Sequence, residues 1–221
     1  DYAPGTLRER AQAFLQDPGL HPLMRSLWAP RLLEGLDWIA ETVAENRKAG
    51  REPLASEIYG KTEIAGVQLS GIADRIDRMP DGGLAVVDYK TGGAPSNRAV
   101  IEGYNLQLGL LAAIAELGGF PEIEGEAVAF EYWSLAKKGG TDSFGHVRSP
   151  TQGRGDNIIA ADAMVDHAVA RFNKAADDYI LGSKAMTAKL HPEYARYADF
   201  DQLMRLEEWY GRSPVEAADH E

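Results

Sequence analysis

Cysteine is missing from all 221 residues of this sequence. Its absence excludes a disulfide-stapled scaffold, a zinc site with cysteine ligands and an iron–sulfur cluster. No run of about 18 apolar residues, as a membrane-spanning helix requires, is present either. The first residues do not resemble a signal peptide, and there is no initiator methionine. We therefore expect a soluble, cytoplasmic protein that is either processed or part of a longer chain.

A basic excess is also lacking, because 23 Lys and Arg residues face 34 Asp and Glu residues, for a formal net charge of −11. This balance disfavours indiscriminate binding of polyanions over the whole surface. Residues 71–98 differ from the rest, since they hold equal numbers of acidic and basic side chains. A divalent cation bound in that range would make it locally positive, so it could still accept a phosphate backbone.

Apolar periodicity predicts helices at the start of the chain. Apolar residues recur every three or four positions over residues 20–49, which indicates one long amphipathic helix. A shorter helical pattern over residues 7–15 ends at Asp17-Pro18-Gly19. We therefore expect residues 1–50 to form a helical annex.

After Gly50 the pattern becomes typical of β-strands, and the separators Ala65-Gly66 and Pro80-Asp81-Gly82-Gly83 are short enough to be hairpin turns. An antiparallel meander is predicted, with strands at residues 54–64, 67–79 and 84–90. Helices are predicted further along, at residues 97–117, 158–181 and 200–210. A strand at 126–135 and a loop or frayed hairpin at 137–157 complete the pattern. This order of elements predicts a mixed α/β core.

Charged residues follow directly after the apolar run of the third predicted strand. Asp88 and Lys90 share one face, because side chains alternate along a strand. A hairpin centred on Asp81 places Asp74 directly opposite Asp88, so two carboxylates and an ammonium converge. Two carboxylates are the minimum for holding Mg²⁺, which keeps waters that a substrate phosphate can displace. A neighbouring lysine can orient the attacking water, so the pattern is typical of phosphodiester hydrolysis.

Each of these charges taken alone is compatible with a solvated surface ion pair. Their conjunction is harder to explain in that way, because the strand before Asp88 is a continuous apolar run, as expected for a buried central strand. Charges at the end of such a strand lie beside the core, where burying them costs free energy. Structural stability alone would therefore not favour charged residues at these positions.

Three motifs follow one another within residues 71–108. They are Gly71-x-x-Asp74-Arg75-Ile76-Asp77, Asp88-Tyr89-Lys90-Thr91-Gly92 and Gln107-Leu108. They resemble the RecB-type branch of the PD-(D/E)XK nucleases. Further features are similar to the C-terminal nuclease domain of AddB subunits from AddAB helicase-nucleases of the alphaproteobacterial kind. These features are Trp28-Ala29-Pro30-Arg31, Pro95-Ser96, Gly118-Gly119-Phe120-Pro121 and Leu206-Glu207-Glu208-Trp209.

The resemblance implies roles for five residues. Asp74 and Asp88 would be metal ligands, with the main-chain carbonyl of Tyr89 completing part of the shell. Lys90 would be the catalytic lysine, and Gln107 would face the site from the following helix. The implied cofactor is Mg²⁺ or Mn²⁺, without an iron–sulfur cluster.

The resemblance also implies the fold and the biological setting. It predicts a restriction-endonuclease-like core over residues 51–211, with a mixed sheet flanked by helices, and a disordered tail at 212–221. The implied activity is that of a deoxyribonuclease acting on single-stranded DNA delivered by a helicase motor, and the sequence leaves open whether it cuts as an exonuclease or as an endonuclease. In the family this domain works beside an AddA-like partner subunit, in the processing of double-strand breaks for recombination and repair.

The sequence departs from the family pattern at two positions. The upstream Gly-x-x-x-His motif is not visible, because His21 has no glycine four positions before it, and we expect the chain to begin after that helix. Leu111 stands where the family commonly has a tyrosine, so a substrate contact is expected to be lost or moved. Glu57, on the first predicted strand, lies where the family often has an acidic residue. It could either belong to the active site or lie at the edge of the hydrophobic core, and both interpretations stay open.

Two alternative functions remain at this point. One is a catalytically silent nuclease fold that guides DNA or binds a partner subunit. The other is a stand-alone endonuclease of the same superfamily.

Overall fold

The computed structural model describes residues 5–137, 144–155, 157–186, 194 and 203. At its centre lies a five-stranded mixed sheet in which β3 and β4 are parallel and the other neighbouring strands are antiparallel. In spatial order the strands are β1 (Glu52–Ile64), β2 (Val67–Arg78), β3 (Leu84–Lys90), β4 (Ala127–Lys137) and β5 (Phe144–Arg148). Helices flank this sheet, which confirms the predicted α/β class.

The meander of β1, β2 and β3 lies where the sequence predicts it, with both predicted hairpin turns. The predicted strand at residues 126–135 is β4. Residues 144–148, in the stretch predicted as a loop or frayed hairpin, form β5 and pair with β4.

Two helices precede the sheet, as predicted: α1 (Thr6–Leu15) and α2 (Pro22–Lys48). The ring of His21 caps α2 by accepting a hydrogen bond from the backbone N–H of Leu23 at 3.2 Å. The C-terminal half of α2 contributes Val43 to a small core against β3 and β4. Its N-terminal half leaves Leu27 and Trp28 exposed, so only part of the predicted apolar face is buried.

The single helix predicted over residues 97–117 is wrong, because the structure has two: α3 (Asn97–Ile101) and α4 (Gln107–Glu116). The chain turns at Gly103, whose φ of 89° suits glycine, and the N–H groups of Tyr104 and Asn105 both donate to the carbonyl of Ala99. The apolar α4 lies against the other face of the sheet, where the main core is.

The helix predicted over residues 158–181 is also only partly correct. Residues 158–160 are not helical, since Ile159 donates its N–H to the carbonyl of Pro150 and its side chain is buried in the core. A 3₁₀ turn (Ala161–Ala163) leads into α5 (Met164–Ala175), and a π-helical turn (Ala176–Ile180) follows.

Contacts divide the chain into two units, residues 1–174 and 175–221. The described part of the second unit contains the π-helical turn and an ion pair between Lys184 and Asp178. The helix predicted at 200–210 and the tail at 212–221 lie outside the described residues, Leu203 excepted. Within the described part, no helix combines the length and the apolar composition needed to cross a membrane.

Candidate active site

The register of the β2–β3 hairpin brings Asp74 next to Asp88. Recorded pairs run from Arg78 opposite Leu84 to Arg75 opposite Val87, which is the register expected from a turn centred on Asp81. Just beyond the last pair, the backbone N–H of Tyr89 donates to Asp74 Oδ2 at 2.8 Å. The side chain of Asp74 is thereby fixed where the two strands stop pairing.

Asp88, Lys90 and Gln107 form a closed triangle of polar contacts on the α4 side of the sheet. Lys90 Nζ lies 2.7 Å from Asp88 Oδ2 and donates to Gln107 Oε1 at 2.9 Å. Gln107 Nε2 donates to Asp88 Oδ1 at 2.5 Å. Because Gln107 is the first residue of α4, the break before this helix sets the position of the amide.

Burial changes the acidity of Asp88, whose side chain is only 3% exposed. Its pKa is raised above the ordinary value, chiefly by burial and also by the negative charge of Asp74. The ammonium of Lys90 and the amide of Gln107 act in the opposite direction without cancelling the effect. A bound cation would favour the charged form of Asp88, because the ammonium of Lys90 alone does not offset the cost of burying this carboxylate.

The donor set fits a magnesium ion. Asp88 Oδ2 is buried and accepts no hydrogen bond of good geometry in the described structure, although the ammonium of Lys90 lies close to it. Among the described residues, no three acidic or histidine side chains cluster in a metal-binding arrangement. Mg²⁺ is commonly held by one or two carboxylates, with waters and substrate phosphate completing its octahedron. Asp74 and Asp88 are two neighbouring carboxylates that could hold the ion in this way.

Glu57 and Leu111, which the comparison with the family pattern singled out, do not join this site. Glu57 is exposed on β1 with a φ of 50°, and it does not form a three-carboxylate group with Asp74 and Asp88. Leu111 is buried on α4 in the main core, so it offers no substrate contact.

Tyr132 is a neighbour of the site that sequence reasoning missed. It lies on β4 opposite Asp88, and Lys90 Nζ is 5.7 Å from the centre of its ring. Its hydroxyl donates to Asn105 Oδ1 at 2.7 Å. Burial and the charge of Asp88 raise the pKa of Tyr132, so its hydroxyl remains protonated. The alternation of β4 would place Tyr132 on the Phe130 face, but only the parallel β3–β4 register reveals its partner.

A buried ionic network supports the opposite face of the same strands. Asp77 is fully buried and accepts hydrogen bonds at 2.7 Å from the Nε atoms of both Arg51 and Arg75. Arg51 also pairs with Glu131, which accepts a hydrogen bond from Trp133 Nε1. These charges are therefore structural, and they do not form the solvated surface ion pairs with which each charge taken alone is compatible.

A cavity of about 310 Å³ also opens on this second face. Its lining consists of Arg75, Tyr89 and the β1 residues 53–56. The carboxylates of Asp74 and Asp88 do not line it. The side chain of Tyr89 thus lies on the face opposite Asp88, against the ring of Trp133.

Comparison with known proteins decides the family. A sequence model of the PD-(D/E)XK nuclease superfamily matches residues 4–210. The chain belongs to this superfamily. A search of curated proteins returned no match. As a PD-(D/E)XK domain, the chain has the expected mixed sheet, and its Asp88-Tyr89-Lys90 segment lies at the C-terminal end of β3.

Proposed function

We propose that this chain is a Mg²⁺- or Mn²⁺-dependent deoxyribonuclease domain that degrades single-stranded DNA from an unwound end. The observation that carries the proposal is the convergence of Asp74, Asp88, Lys90 and Gln107. Membership of a nuclease superfamily supports it, since a nuclease needs such a group of carboxylates and a cation on one face.

In the proposed mechanism Asp74 and Asp88 hold the cation, with the main-chain carbonyl of Tyr89 as a further oxygen ligand. Bound Mg²⁺ would polarise the scissile phosphate and lower the pKa of the attacking water. Lys90 donates a hydrogen bond to that water and offsets the negative charge that builds up on the phosphate oxygens. Gln107 keeps the ammonium of Lys90 and the carboxylate of Asp88 in fixed relative positions.

We further propose an exonuclease of the AddB type, which acts beside an AddA-like helicase subunit in the cytoplasm. Support comes from the motifs that resemble AddB nuclease domains, including Trp28-Ala29-Pro30-Arg31 near the start of α2. In this setting the helicase motor supplies a single strand, and cleavage prepares broken DNA ends for recombination. Co-purification with a helicase subunit from the same genome, followed by cleavage of a duplex end only when ATP is present, tests this part separately.

The chemical proposal is tested by calorimetric titration of Mg²⁺ and Mn²⁺ into the full chain, followed by cleavage of end-labelled single-stranded DNA. Asp88→Asn is compared with Asp162→Asn, which changes an exposed aspartate outside the site. We expect Asp88→Asn to lose metal binding and cleavage together, while Asp162→Asn retains both. Release of mononucleotides from the labelled end would identify exonuclease action, whereas internal cuts would favour a stand-alone endonuclease.

A silent scaffold is the competing function, and the same experiment separates it from the proposal. Metal binding without cleavage by the wild type, also after addition of the helicase subunit, would favour the scaffold. Cleavage that survives in Asp88→Asn would contradict the assignment of the site.

A further inference from the structure

Tyr132 makes two contacts with the site through two different parts of its side chain. The face of its ring is directed to the ammonium of Lys90, with 5.7 Å between Nζ and the ring centre. Its hydroxyl donates to Asn105 Oδ1 at 2.7 Å. Tyr132 is only 1% exposed, so its own ring and hydroxyl are shielded from water, while the side chain of Lys90 is 27% exposed.

The ring contact is the third protein contact of the Lys90 ammonium. On its other sides Nζ meets the carboxylate of Asp88 and the amide oxygen of Gln107. A lysine side chain is a flexible four-carbon stem, so with only these two polar contacts the ammonium could still shift between the carboxylate and the amide oxygen. The negative face of an aromatic ring adds a third attraction, which is stronger when water is excluded. The ring thus restricts where the ammonium can lie.

The hydroxyl contact acts on the other side of the site. Asn105 lies in the break between α3 and α4, two residues before Gln107. Its backbone N–H already donates to the carbonyl of Ala99, and Tyr132 holds its side chain. The start of α4 is therefore tied to β4 through a side chain, and this tie fixes the position from which Gln107 reaches Asp88.

We propose that Tyr132 is a positioning residue that holds the Lys90 ammonium with its ring and the start of α4 with its hydroxyl. This inference rests on the proposed nuclease function. Tyr132 acts through Lys90 and Gln107, and it does not itself contact substrate.

Packing alone does not account for a tyrosine at this position. Phe130 lies two residues earlier on the same face of β4, and it is fully buried without any polar group. A phenylalanine at position 132 would fill the same core volume without the cost of burying a hydroxyl. The hydroxyl therefore has a use beyond packing, which is its hydrogen bond to Asn105.

The test measures the single-turnover rate of single-stranded DNA cleavage by the full chain at saturating Mg²⁺, together with DNA and Mg²⁺ affinity. We expect Tyr132→Leu, which removes the ring and the hydroxyl, to lower the rate by about tenfold, as for loss of a partly buried cation–ring contact. Tyr132→Phe keeps the ring and should recover most of that loss. The affinities for DNA and for Mg²⁺ should change little in either variant, because in the proposed role the side chain at position 132 contacts neither the DNA nor the metal ion.

Phe130→Leu is the matched control, since it truncates a buried ring on the same strand and face without touching Lys90. It should lower thermal stability as much as Tyr132→Leu while leaving the rate unchanged. Equal slowing in both leucine variants, or no slowing in Tyr132→Leu, would overturn the inference. If Tyr132→Leu does not fold, Tyr132→Met provides an unbranched, ring-free side chain of closer volume, and the same outcomes apply.

A second readout separates this inference from the proposed function. In metal-free protein labelled with ¹³C-lysine, the ε-CH₂ resonance of Lys90 is assigned by its loss in Lys90→Met. The ring current of Tyr132 should shift this resonance, and the shift should disappear in Tyr132→Leu but persist in Tyr132→Phe. If the wild type does not cleave DNA even after addition of the helicase subunit, the proposed function fails. An unchanged Lys90 resonance in Tyr132→Leu would overturn the positioning role independently.

Discussion

Gln107 bridges Asp88 and Lys90 with the two ends of one amide group. Its Nε2 donates to one carboxylate oxygen of Asp88 at 2.5 Å, and its Oε1 accepts from the ammonium of Lys90 at 2.9 Å. An amide is suited to this position, because it has both a donor and an acceptor and carries no charge. The bridge therefore orders a candidate metal ligand and a candidate catalytic cation without altering the charge of the site.

Removal of this bridge should slow cleavage more than it weakens metal binding. Gln107→Ala leaves both carboxylates in place but frees Lys90 from one of its partners. Misplacement of a reacting group by about 1 Å can cost about 100-fold in rate, so we expect a loss of about 10- to 100-fold in kcat. Gln68→Ala, at an exposed position on β2, serves as the control. A kcat equal to wild type would contradict the bridging role.

Loss of the Lys90 ammonium should separate chemistry from metal binding. Lys90→Met is expected to reduce the cleavage rate by about 100-fold or more, as for removal of a catalytic proton-transfer or charge-stabilising group. Mg²⁺ affinity measured by calorimetry should stay equal or rise, because the competing cation next to Asp88 Oδ2 is gone. Lys61→Met changes an exposed lysine on β1 and should affect neither quantity. Weaker Mg²⁺ binding in Lys90→Met would argue against two aspartates as the ligands.

Local sequence patterns could predict the meander and the pairing of Asp74 with Asp88. The turn Pro80-Asp81-Gly82-Gly83 joins adjacent strands, so alternation and turn length together fix the register. Sequence patterns could not predict the break before Gln107. Apolar residues continue across it at helical spacing, and a single glycine such as Gly103 is tolerated in a helix.

The neighbours of the site depend on contacts between residues far apart in the chain. Tyr132 meets Asp88 only because β4 returns parallel to β3 after the two helices, and no local pattern gives that register. One partner of Asp77 is similarly remote, since Arg51 lies 26 residues before it, whereas its other partner, Arg75, lies only two residues before it. The sequence places Arg75 and Asp77 on β2 but does not show that they are buried.

The raised pKa of Asp88 predicts how stability without metal depends on pH. The folded protein holds the Asp88 proton more tightly than the unfolded chain, whose ordinary value is 3.8. The resulting stabilisation is complete below that value and is lost as pH rises through the raised folded pKa. In EDTA, Asp88→Asn, which mimics the protonated acid, should therefore melt a few degrees above wild type at about pH 7, and the gap should close toward about pH 4.

The pH experiment needs a control for general charge effects. Asp162→Asn removes the same charge at an exposed position, so its melting difference from wild type reports the general charge effect and should change less with pH than that of Asp88→Asn. A gap for Asp88→Asn that widens as pH falls would show that Asp88 has a lowered pKa, contrary to the structure.

The buried network predicts a large loss of stability from a single substitution behind the site. Asp77→Ala leaves Arg51 and Arg75 as buried cations without their shared carboxylate. Breaking a buried pair by removing one partner typically costs about 3–5 kcal/mol, which urea denaturation can measure. Asp81→Ala, at the exposed hairpin turn, removes one hydrogen bond to the N–H of Gly83 and should cost about 1 kcal/mol or less. Similar losses in the two variants would mean that the network is not effectively buried.

Two glycines at opposite ends of α4 test whether the helix break positions the site. Gly103 and Gly118 have φ of 89° and 69°, so an alanine at either should cost about 1–2 kcal/mol through backbone strain. At Gly103 the added Cβ would also lie 3.2 Å from Cδ of Arg171, whereas Gly118 has open space around it. We expect both alanine variants to lose stability, but only Gly103→Ala to lower kcat, because its strain reaches Gln107. Equal kcat values in the two variants, measured well below their melting temperatures, would show that the geometry of the break does not control the site.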